Sequence, residues 1–424
     1  MRTPPVPLIA LVSLLLGPVS CGARIRAAYD QARSEALADP GAVPDGWPAD
    51  ARLGISWDLV TTLAVRELSQ RLEDPSNRLR IDLPLGAKAV IEPDVQLTGA
   101  RVSPARACDT CARIASTFDG SLEWSVGSFG GEVPLSFELD AVLALESHPT
   151  ATGHAVEANL RTVAIKLADI PQVDRLRVDL DDPLVAWLKE QVEQDFPAIP
   201  IAEVGSQEMP LRALRLGTTP AYLVVDVLTP SPVRSGQALP APQRADWYLA
   251  MDQQVLLGLA RKAAFEKGEL DYGIYADPSS LALQERSFTL GLRLWRLAGS
   301  CWWRDYEVLG DLALDHGHLR LTPSSVHERD HSRGAALLDP LALLARGAIL
   351  DAIEEALDVA RPAEVREPIG GATLVLSVQE ATGQGPALVL HGTADLTEKA
   401  KKKEKGKKSG GSGRTGGEGG AGRR

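Results

Sequence analysis

The chain is poor in aromatic side chains, has four cysteines among 424 residues, and lacks the short motifs of the common enzyme classes. The uncharged apolar run at residues 7–20 has 14 residues, whereas a membrane-spanning helix needs about 20. No GxSxG, HExxH or phosphate-binding glycine loop is present. These absences argue against a helical membrane span in that run, and we expect neither enzymatic activity nor a cofactor.

The charge is divided unevenly along the chain. The net charge is −11, yet residues 397–424 contain ten Lys or Arg and three acidic residues, which is +7 and leaves −18 for the rest. An acidic body argues against nucleic acid as a partner. The Lys- and Gly-rich tail has nothing to bury, so we expect it to be disordered, and it can contact anionic surfaces of a cell envelope.

The amino terminus has the layout of a secretory signal. Arg2 provides the positive start, and small residues precede Cys21 at the end of the apolar run. This layout resembles a bacterial lipoprotein signal, with Pro18 as a departure where Leu is usual. The resemblance implies cleavage after Ser20 and lipid attachment at Cys21. Because Gly22 follows rather than Asp, it also implies an outer-membrane protein facing the periplasm or the cell surface. The alternative is a secreted protein that is cut nearby.

The remaining cysteines suit an oxidising compartment. Cys108 and Cys111 are close enough in sequence to form a local disulfide, which would leave Cys301 free. A thioredoxin-like redox pair is the other interpretation of this spacing, but it needs a preceding strand and a following helix, and the flanking sequence is poor for both. A zinc site lacks a second CxxC or a nearby His pair.

Hydrophobic periodicity predicts both helices and long strands. Residues 55–72 place apolar side chains on one helical stripe, and residues 132–146 have an apolar side chain at every second position over more than a dozen residues. The phase slips between Leu160 and Val163, which predicts a β-bulge. A second helix is expected from Asp182, with Pro183 in its first turn.

The order of predicted elements repeats along the chain. Both halves run helix, long strands, a helix that opens with Asp-Pro (Asp182-Pro183 and Asp339-Pro340), and two strands. The predicted organisation is listed as follows: signal peptide, 1–20; lipidated amino terminus and tether, 21–54; first module, 55–228; linker, 229–246; second module, 247–396; basic tail, 397–424.

This element order, the tandem duplication and the extracytoplasmic signal resemble the tubular lipid-binding (TULIP) superfamily, which includes the bactericidal/permeability-increasing proteins. The resemblance covers residues 55–396 and is carried by pattern rather than by a sharp motif. It implies an α+β fold of two tandem modules, each a long amphipathic helix pair packed on a strongly curved antiparallel sheet. It also implies an apolar groove for acyl chains such as palmitate. One departure from the superfamily's pattern is that Cys108 and Cys111 lie together in a loop.

A lipid-binding, and potentially lipid-transferring, envelope lipoprotein is therefore the expected function, with lipid or another apolar ligand and the membrane as partners. The side chains expected to line grooves are Leu59, Leu63, Leu135, Phe137, Leu139, Leu290 and Leu292. The first alternative is a structural or assembly lipoprotein with filled cores that acts through protein contacts. The second is an enzyme with zinc held by His316, His318, His327 and His331, the last two on a helix.

Overall fold

A computed structural model describes most of the chain. The described residues are 8–39, 41–43, 45–72, 79–82, 88–126, 128–151, 153–169, 181–195, 199–204, 211–270, 273–298, 301–315, 318–332, 364–369 and 372–398. The predicted Asp339-Pro340 helix and nearly all of the basic tail lie outside them.

The described residues form four helices and seventeen strands. The helices are α1 (Leu8–Ala36), α2 (Trp57–Leu72), α3 (Asp181–Asp195) and α4 (Gln253–Lys267). The strands of the first half are β1 (Ala51–Ser56), β2 (Leu79–Asp82), β3 (Lys88–Pro104), β4 (Cys111–Val126), β5 (Phe129–Pro149), β6 (His154–Asp169), β7 (Ile199–Val204), β8 (Ala213–Thr218) and β9 (Tyr222–Leu228). Those of the second half are β10 (Trp247–Asp252), β11 (Ile274–Gln284), β12 (Ser287–Arg296), β13 (Trp302–Asp315), β14 (His318–His331), β15 (Glu364–Ile369), β16 (Ala372–Gln384) and β17 (Ala387–Glu398).

The strands form three antiparallel sheets. The first half contributes a six-stranded sheet in the order β2-β3-β4-β5-β6-β7, and the second half a four-stranded sheet in the order β11-β12-β13-β14. A seven-stranded central sheet, β15-β16-β17-β10-β1-β9-β8, takes strands from both halves. The two halves are therefore joined by backbone hydrogen bonds within one sheet.

The central sheet is built around the antiparallel pair β1 and β10. Each of these strands has a neighbour from its own half, β9 or β17, on its other side. Each leads directly into a helix, β1 into α2 and β10 into α4. Because the two strands run in opposite directions, the helices leave from opposite ends of the pair.

A close approach holds this pair together. Gly54 lies opposite Tyr248 in the register, and a Cβ atom at Gly54 would come within 1.9 Å of the Tyr248 ring. Tyr248 is 1% exposed and packs edge-on against Tyr222, with ring centroids 5.0 Å apart. Glycine is therefore required here by space rather than by backbone angle.

Side-chain caps mark the change from strand to helix. The Asp252 carboxylate accepts hydrogen bonds from the N–H groups of Gln254 (2.7 Å) and Val255 (3.3 Å) at the start of α4. At the start of α2, the Ser56 hydroxyl accepts from the N–H of Leu59 at 3.2 Å. The helices predicted to open the two modules at residues 55 and 247 therefore begin later, at Trp57 and Gln253. The residues before them belong to β1 and β10 of the central sheet.

Buried carboxylates tie residues 229–246, which contain no helix or strand, to the central sheet. Asp50 has a fully buried side chain and pairs with Arg234 at 2.8 Å. It also accepts hydrogen bonds from the N–H (2.7 Å) and hydroxyl (2.8 Å) of Thr229. Removal of one partner from such a buried pair leaves an uncompensated charge, so this contact restricts how the segment can lie.

The prediction of a long helix pair on one strongly curved sheet in each module is wrong. The described chain is mainly strand, and its sheets number three rather than two. Apart from α1, the helices have only 15 or 16 residues. Periodicity within an element cannot report which strands share a sheet, so it missed the central sheet built from both halves.

Several local predictions are confirmed. The residues 132–146, with an apolar side chain at every second position, lie within the single strand β5. The predicted Asp-Pro helix of the first half is α3. Between β5 and β6, Val142 pairs with Thr162 and Leu143 with Leu160. Arg161 is therefore the extra residue of a bulge, at the position where the apolar phase slips.

A Gly54→Ala substitution is expected to lower the free energy of unfolding by about 2–3 kcal/mol, because the new methyl group overlaps the Tyr248 ring. Urea denaturation measures the change. Gly217→Ala is the matched control in β8 of the same sheet, since a Cβ there meets nothing within 4 Å. Equal stability of both variants would contradict the importance of this contact.

Burial raises the pKa of Tyr248 to about 12. The folded state therefore holds this proton more tightly than the unfolded chain, whose tyrosines have a pKa of about 10. The stabilisation is complete below pH ~10 and is lost as the pH rises through ~12. Tyr248→Phe should make the free energy of unfolding fall less steeply in this window, while the loss at pH 8 stays small. An unchanged slope would show that Tyr248 does not titrate in this way.

Candidate functional site

The candidate site is one face of the six-stranded sheet, called here the apolar face. Register pairs across the sheet build it from successive rows of side chains. Three rows run from β3 to β6, namely Val102–Ile114–Ala141–Val163, Ala100–Ser116–Leu139–Ile165 and Leu97–Phe118–Phe137–Leu167. A fourth, Val95–Gly120–Leu135, reaches only β5. Phe118 and Phe137 stack at its centre, with ring centroids 4.6 Å apart.

The opposite face of the same sheet is polar. Arg113 on β4 donates from Nε to a carboxylate oxygen of Asp140 on β5 at 2.8 Å. This hydrogen bond lowers the pKa of Asp140. Because the side chains of a strand alternate between faces, the same strands present a charged surface on one side and the apolar face on the other.

As far as the described residues extend, α3 covers the apolar face and α2 covers one end of it. Among the described residues, its core cluster consists of β4 and β5 side chains and Leu188 of α3. A helix of 15 residues is about 22 Å long, whereas a strand of 21 residues such as β5 extends about 70 Å. At one end of the face, α2 packs Trp57 against Val102 and Ala112.

The perimeter of the apolar face is only partly covered. Ten apolar side chains around the cluster are half-buried. They are Val95 and Leu97 on β3, Trp124 on β4, Val133 on β5, Leu160, Val163, Ile165 and Leu167 on β6, and Trp187 and Val192 on α3. These half-buried side chains offer apolar surface to a ligand.

In the second half, the apolar side of the four-stranded sheet is covered by another sheet. Its main core cluster combines residues of the four-stranded sheet with Ala381 and Leu388 of the central sheet, and a bridge joins Glu285 to Gly383. Two sheets therefore face each other, and Val308 within this core is completely buried. Apolar side chains of the partner sheet already occupy the space that a ligand would need.

Among the described residues, one buried hydroxyl interrupts the rows of the apolar face. Ser116 on β4 is 3% exposed, and its hydroxyl has no hydrogen-bond partner among the described residues. It lies between Ile114 and Phe118, in the row of Ala100 and Leu139. A buried polar group without a partner is costly, so a hydrogen-bond acceptor on a bound ligand would relieve that cost.

The structure divides the predicted groove residues between separate places. Leu135, Phe137 and Leu139 lie together in the core of the apolar face, whereas Leu290 and Leu292 belong to the closed core of the second half. Leu59 is buried and Leu63 half-buried on α2. Sequence reasoning missed Ser116 and the β6 perimeter; the signal for Ser116 was one polar residue in the alternation of Ala112, Ile114 and Phe118.

The cysteines and histidines are placed as follows. A disulfide joins Cys108 and Cys111, and Cys301 is free. Cys21 lies within α1. His327 lies on β14, a strand instead of the expected helix, and His316 lies outside the described residues. Across the described part of the chain, no group of three or more His, Cys, Asp or Glu is arranged to hold a metal ion.

Two cavities lie outside the core cluster of the apolar face, the second of them at the end of the face where Val102 lies. One of about 620 Å³ borders Gln253 and the β11–β12 turn. The other, of about 670 Å³, lies beside Trp57 and His391. None of the seven predicted groove residues lines either cavity. Of the helices in the described ranges, none has the length and apolar character needed to cross a bilayer.

Comparison with known proteins yields structural similarity alone. No family model matches the chain, and no curated protein matches it. The chain is similar to solved structures that include lipopolysaccharide binding protein, at 12% identity, a TM-score of 0.41, and coverage of 83% of this chain and 100% of that one. It is also similar to P47 of Clostridium botulinum E1, with 11% identity, a TM-score of 0.38, and coverage of 82% and 100%. P47 from Clostridium botulinum A2 gives 10% identity, a TM-score of 0.37, and coverage of 81% and 97%. Similarities at this level do not assign a ligand.

Proposed function

We propose that the chain is a lipid-anchored protein of the bacterial envelope that binds the acyl chains of a lipid on the apolar face of its six-stranded sheet. The observation that carries this proposal is the composition of the core cluster there. One sheet and one 15-residue helix build it, and ten half-buried apolar side chains surround it. Lipid is bound without covalent change, and the lipid at Cys21 keeps the protein at the membrane.

The energetics suit reversible binding. Burial of each CH₂ group is worth about 0.8 kcal/mol, so a ~16-carbon chain moved from water gains on the order of 10 kcal/mol. The same gain is available within a bilayer, and exchange between protein and membrane is then near neutral. This balance favours a carrier or sensor of lipid over an irreversible store.

The second candidate is a structural or assembly lipoprotein with filled cores. It is favoured by the second half, where the four-stranded sheet packs against the central sheet. Predicted groove residues Leu290 and Leu292 are 5% and 2% exposed there. We therefore restrict the proposed lipid site to the first half and assign the second half a structural role.

Ile165→Glu is the variant that tests the lipid site. It places a carboxylate on the half-buried perimeter of the apolar face and should weaken binding of a fluorescent long-chain fatty acid by more than about ten-fold, because a charge is costly in an apolar contact. Ile274→Glu is the matched control, since Ile274 is half-buried against the core of the second half. It should leave the affinity unchanged.

Native mass spectrometry of full-length protein purified in mild detergent provides an independent measurement. Bound lipid on the unmodified chain, lost in Ile165→Glu and retained in Ile274→Glu, is the expected result. Protein that is reproducibly free of non-covalent lipid and shows no saturable fatty-acid binding would refute the proposal and favour the structural role.

Ser116→Ala should raise the free energy of unfolding of lipid-free protein by about 1 kcal/mol, because it removes a buried hydroxyl without a partner. We expect the same change to weaken binding of an ester-linked phospholipid several-fold, since an ester carbonyl accepts the hydroxyl's hydrogen bond. Binding of the ether-linked analogue should not change.

Ser136→Ala is the control for this pair of measurements. Ser136 lies on the polar side of β5, where its hydroxyl donates to Asp119 at 2.5 Å, so its removal should not stabilise the protein or distinguish ester from ether. If Ser116→Ala destabilised the lipid-free protein, or weakened binding of both phospholipids equally, the assigned role of the hydroxyl would be wrong.

A further inference from the structure

The segment that follows Cys21 packs on the folded body. Within α1, the buried residues Ile25, Tyr29, Ala32 and Ala36 recur at helical spacing and form one stripe. They share a core cluster with Phe265 of α4 and Trp295 of β12. This half of α1 is therefore an integral part of the second half of the protein.

Tyr29 is the centre of this contact. It is 4% exposed, and its ring lies 5.6 Å from Phe265, 5.0 Å from Tyr275 and 6.0 Å from Trp295, measured between centroids. Aromatic pairs at these distances add stabilisation beyond the buried area. At the other end of the segment, Asp39 forms an ion pair with Arg212.

The start of the packed segment lies beside the β12–β13 connection. A Cβ atom at Gly22 would lie 3.4 Å from the sulfur of Cys301. Leu297, Cys301 and Trp303 are half-buried at the edge of the same cluster. Gly22 directly follows the expected lipid attachment site, so the lipid would leave the protein at this end of the second half.

The exposed side chains here suit an anionic bilayer. Arg24 and Arg26 are exposed within the first five residues after Cys21, although the chain as a whole carries a charge of −11. The half-buried Trp303 ring lies beside them in the fold, held by Arg293, whose guanidinium is 4.7 Å from the ring centre and pairs with Asp305. Arginine and tryptophan together are typical of surfaces at the level of lipid head groups.

We propose that residues 22–26 of α1, together with residues 297–298 and 301–303, form the surface that rests on an anionic membrane. This inference relies on lipid attachment at Cys21, which belongs to the proposed function. It does not rely on lipid binding at the apolar face. The protein is thereby held in one orientation instead of being suspended on a flexible spacer.

A packed helix leaves the amino terminus far less freedom of position than a flexible tether would. If all 34 residues of 21–54 were a random coil, the root-mean-square separation of their ends would be about 30 Å. The packed helix removes this freedom, because the buried stripe that begins at Ile25 fixes α1 on the body. The membrane then contacts a defined end of the second half.

Lipid photo-cross-linking of the full-length, lipidated protein tests the proposal. The protein is reconstituted in vesicles of phosphatidylethanolamine and phosphatidylglycerol, with a photoreactive amino acid placed at Trp303 or at Phe129. Phe129 is the comparison site because it is 77% exposed on the first half. We expect lipid adducts at position 303 to exceed those at position 129 several-fold.

Tyr29→Ala should release α1 and reduce adducts at position 303 several-fold, with lipid still attached at Cys21 by mass spectrometry. Gln31→Ala, on the exposed side of α1, should not reduce them. Equal labelling at 303 and 129, labelling unaffected by Tyr29→Ala, or a chain without lipid at Cys21 would each overturn the orientation. The fatty-acid affinity of the same preparations reports on the apolar face separately.

Discussion

Tyr248 packs against Gly54 where β1 pairs with β10, and this contact allows two halves of one chain to share a sheet. A side chain at Gly54 would push the strands apart, and the hydrogen bonds between the halves depend on their separation. Because β1 and β10 are antiparallel and each continues into a helix, the six-stranded and four-stranded sheets extend from opposite ends of the pair.

The two halves close their apolar surfaces in different ways, although each begins with a strand followed by a helix. In the second half the central sheet contributes Ala381 and Leu388 to a closed core. In the first half only Leu188 of α3 joins the main cluster of the six-stranded sheet, as far as the described residues extend. Long strands and a short helix cannot match in length, so apolar surface remains beyond the helix. That mismatch is the physical basis of the proposed lipid site.

Packing of α1 on the second half bears on the proposed orientation of the protein at a membrane. A stripe of four buried residues holds it against Phe265 and Trp295, so the point where the lipid would attach is fixed relative to the body. A protein that exchanges lipid with a bilayer gains from a defined orientation, because the distance from the membrane to its binding face is then constant. The arginines beside the attachment point add electrostatic attraction at the same surface.

The sequence by itself determined the local elements and their faces. Alternation in β5, the phase slip at Arg161 and the Asp-Pro start of α3 follow from side-chain periodicity and capping, which act over a few residues. Only the tertiary structure decided which strands share a sheet, which of the seven predicted groove residues lie near partly covered surface, and that residues 22–36 pack on the body. The burial of Ser116 among apolar side chains became visible only when β3, β4 and β5 were paired. Sheet membership and ligand access depend on contacts between residues far apart in the chain, and a periodic pattern carries no record of those contacts.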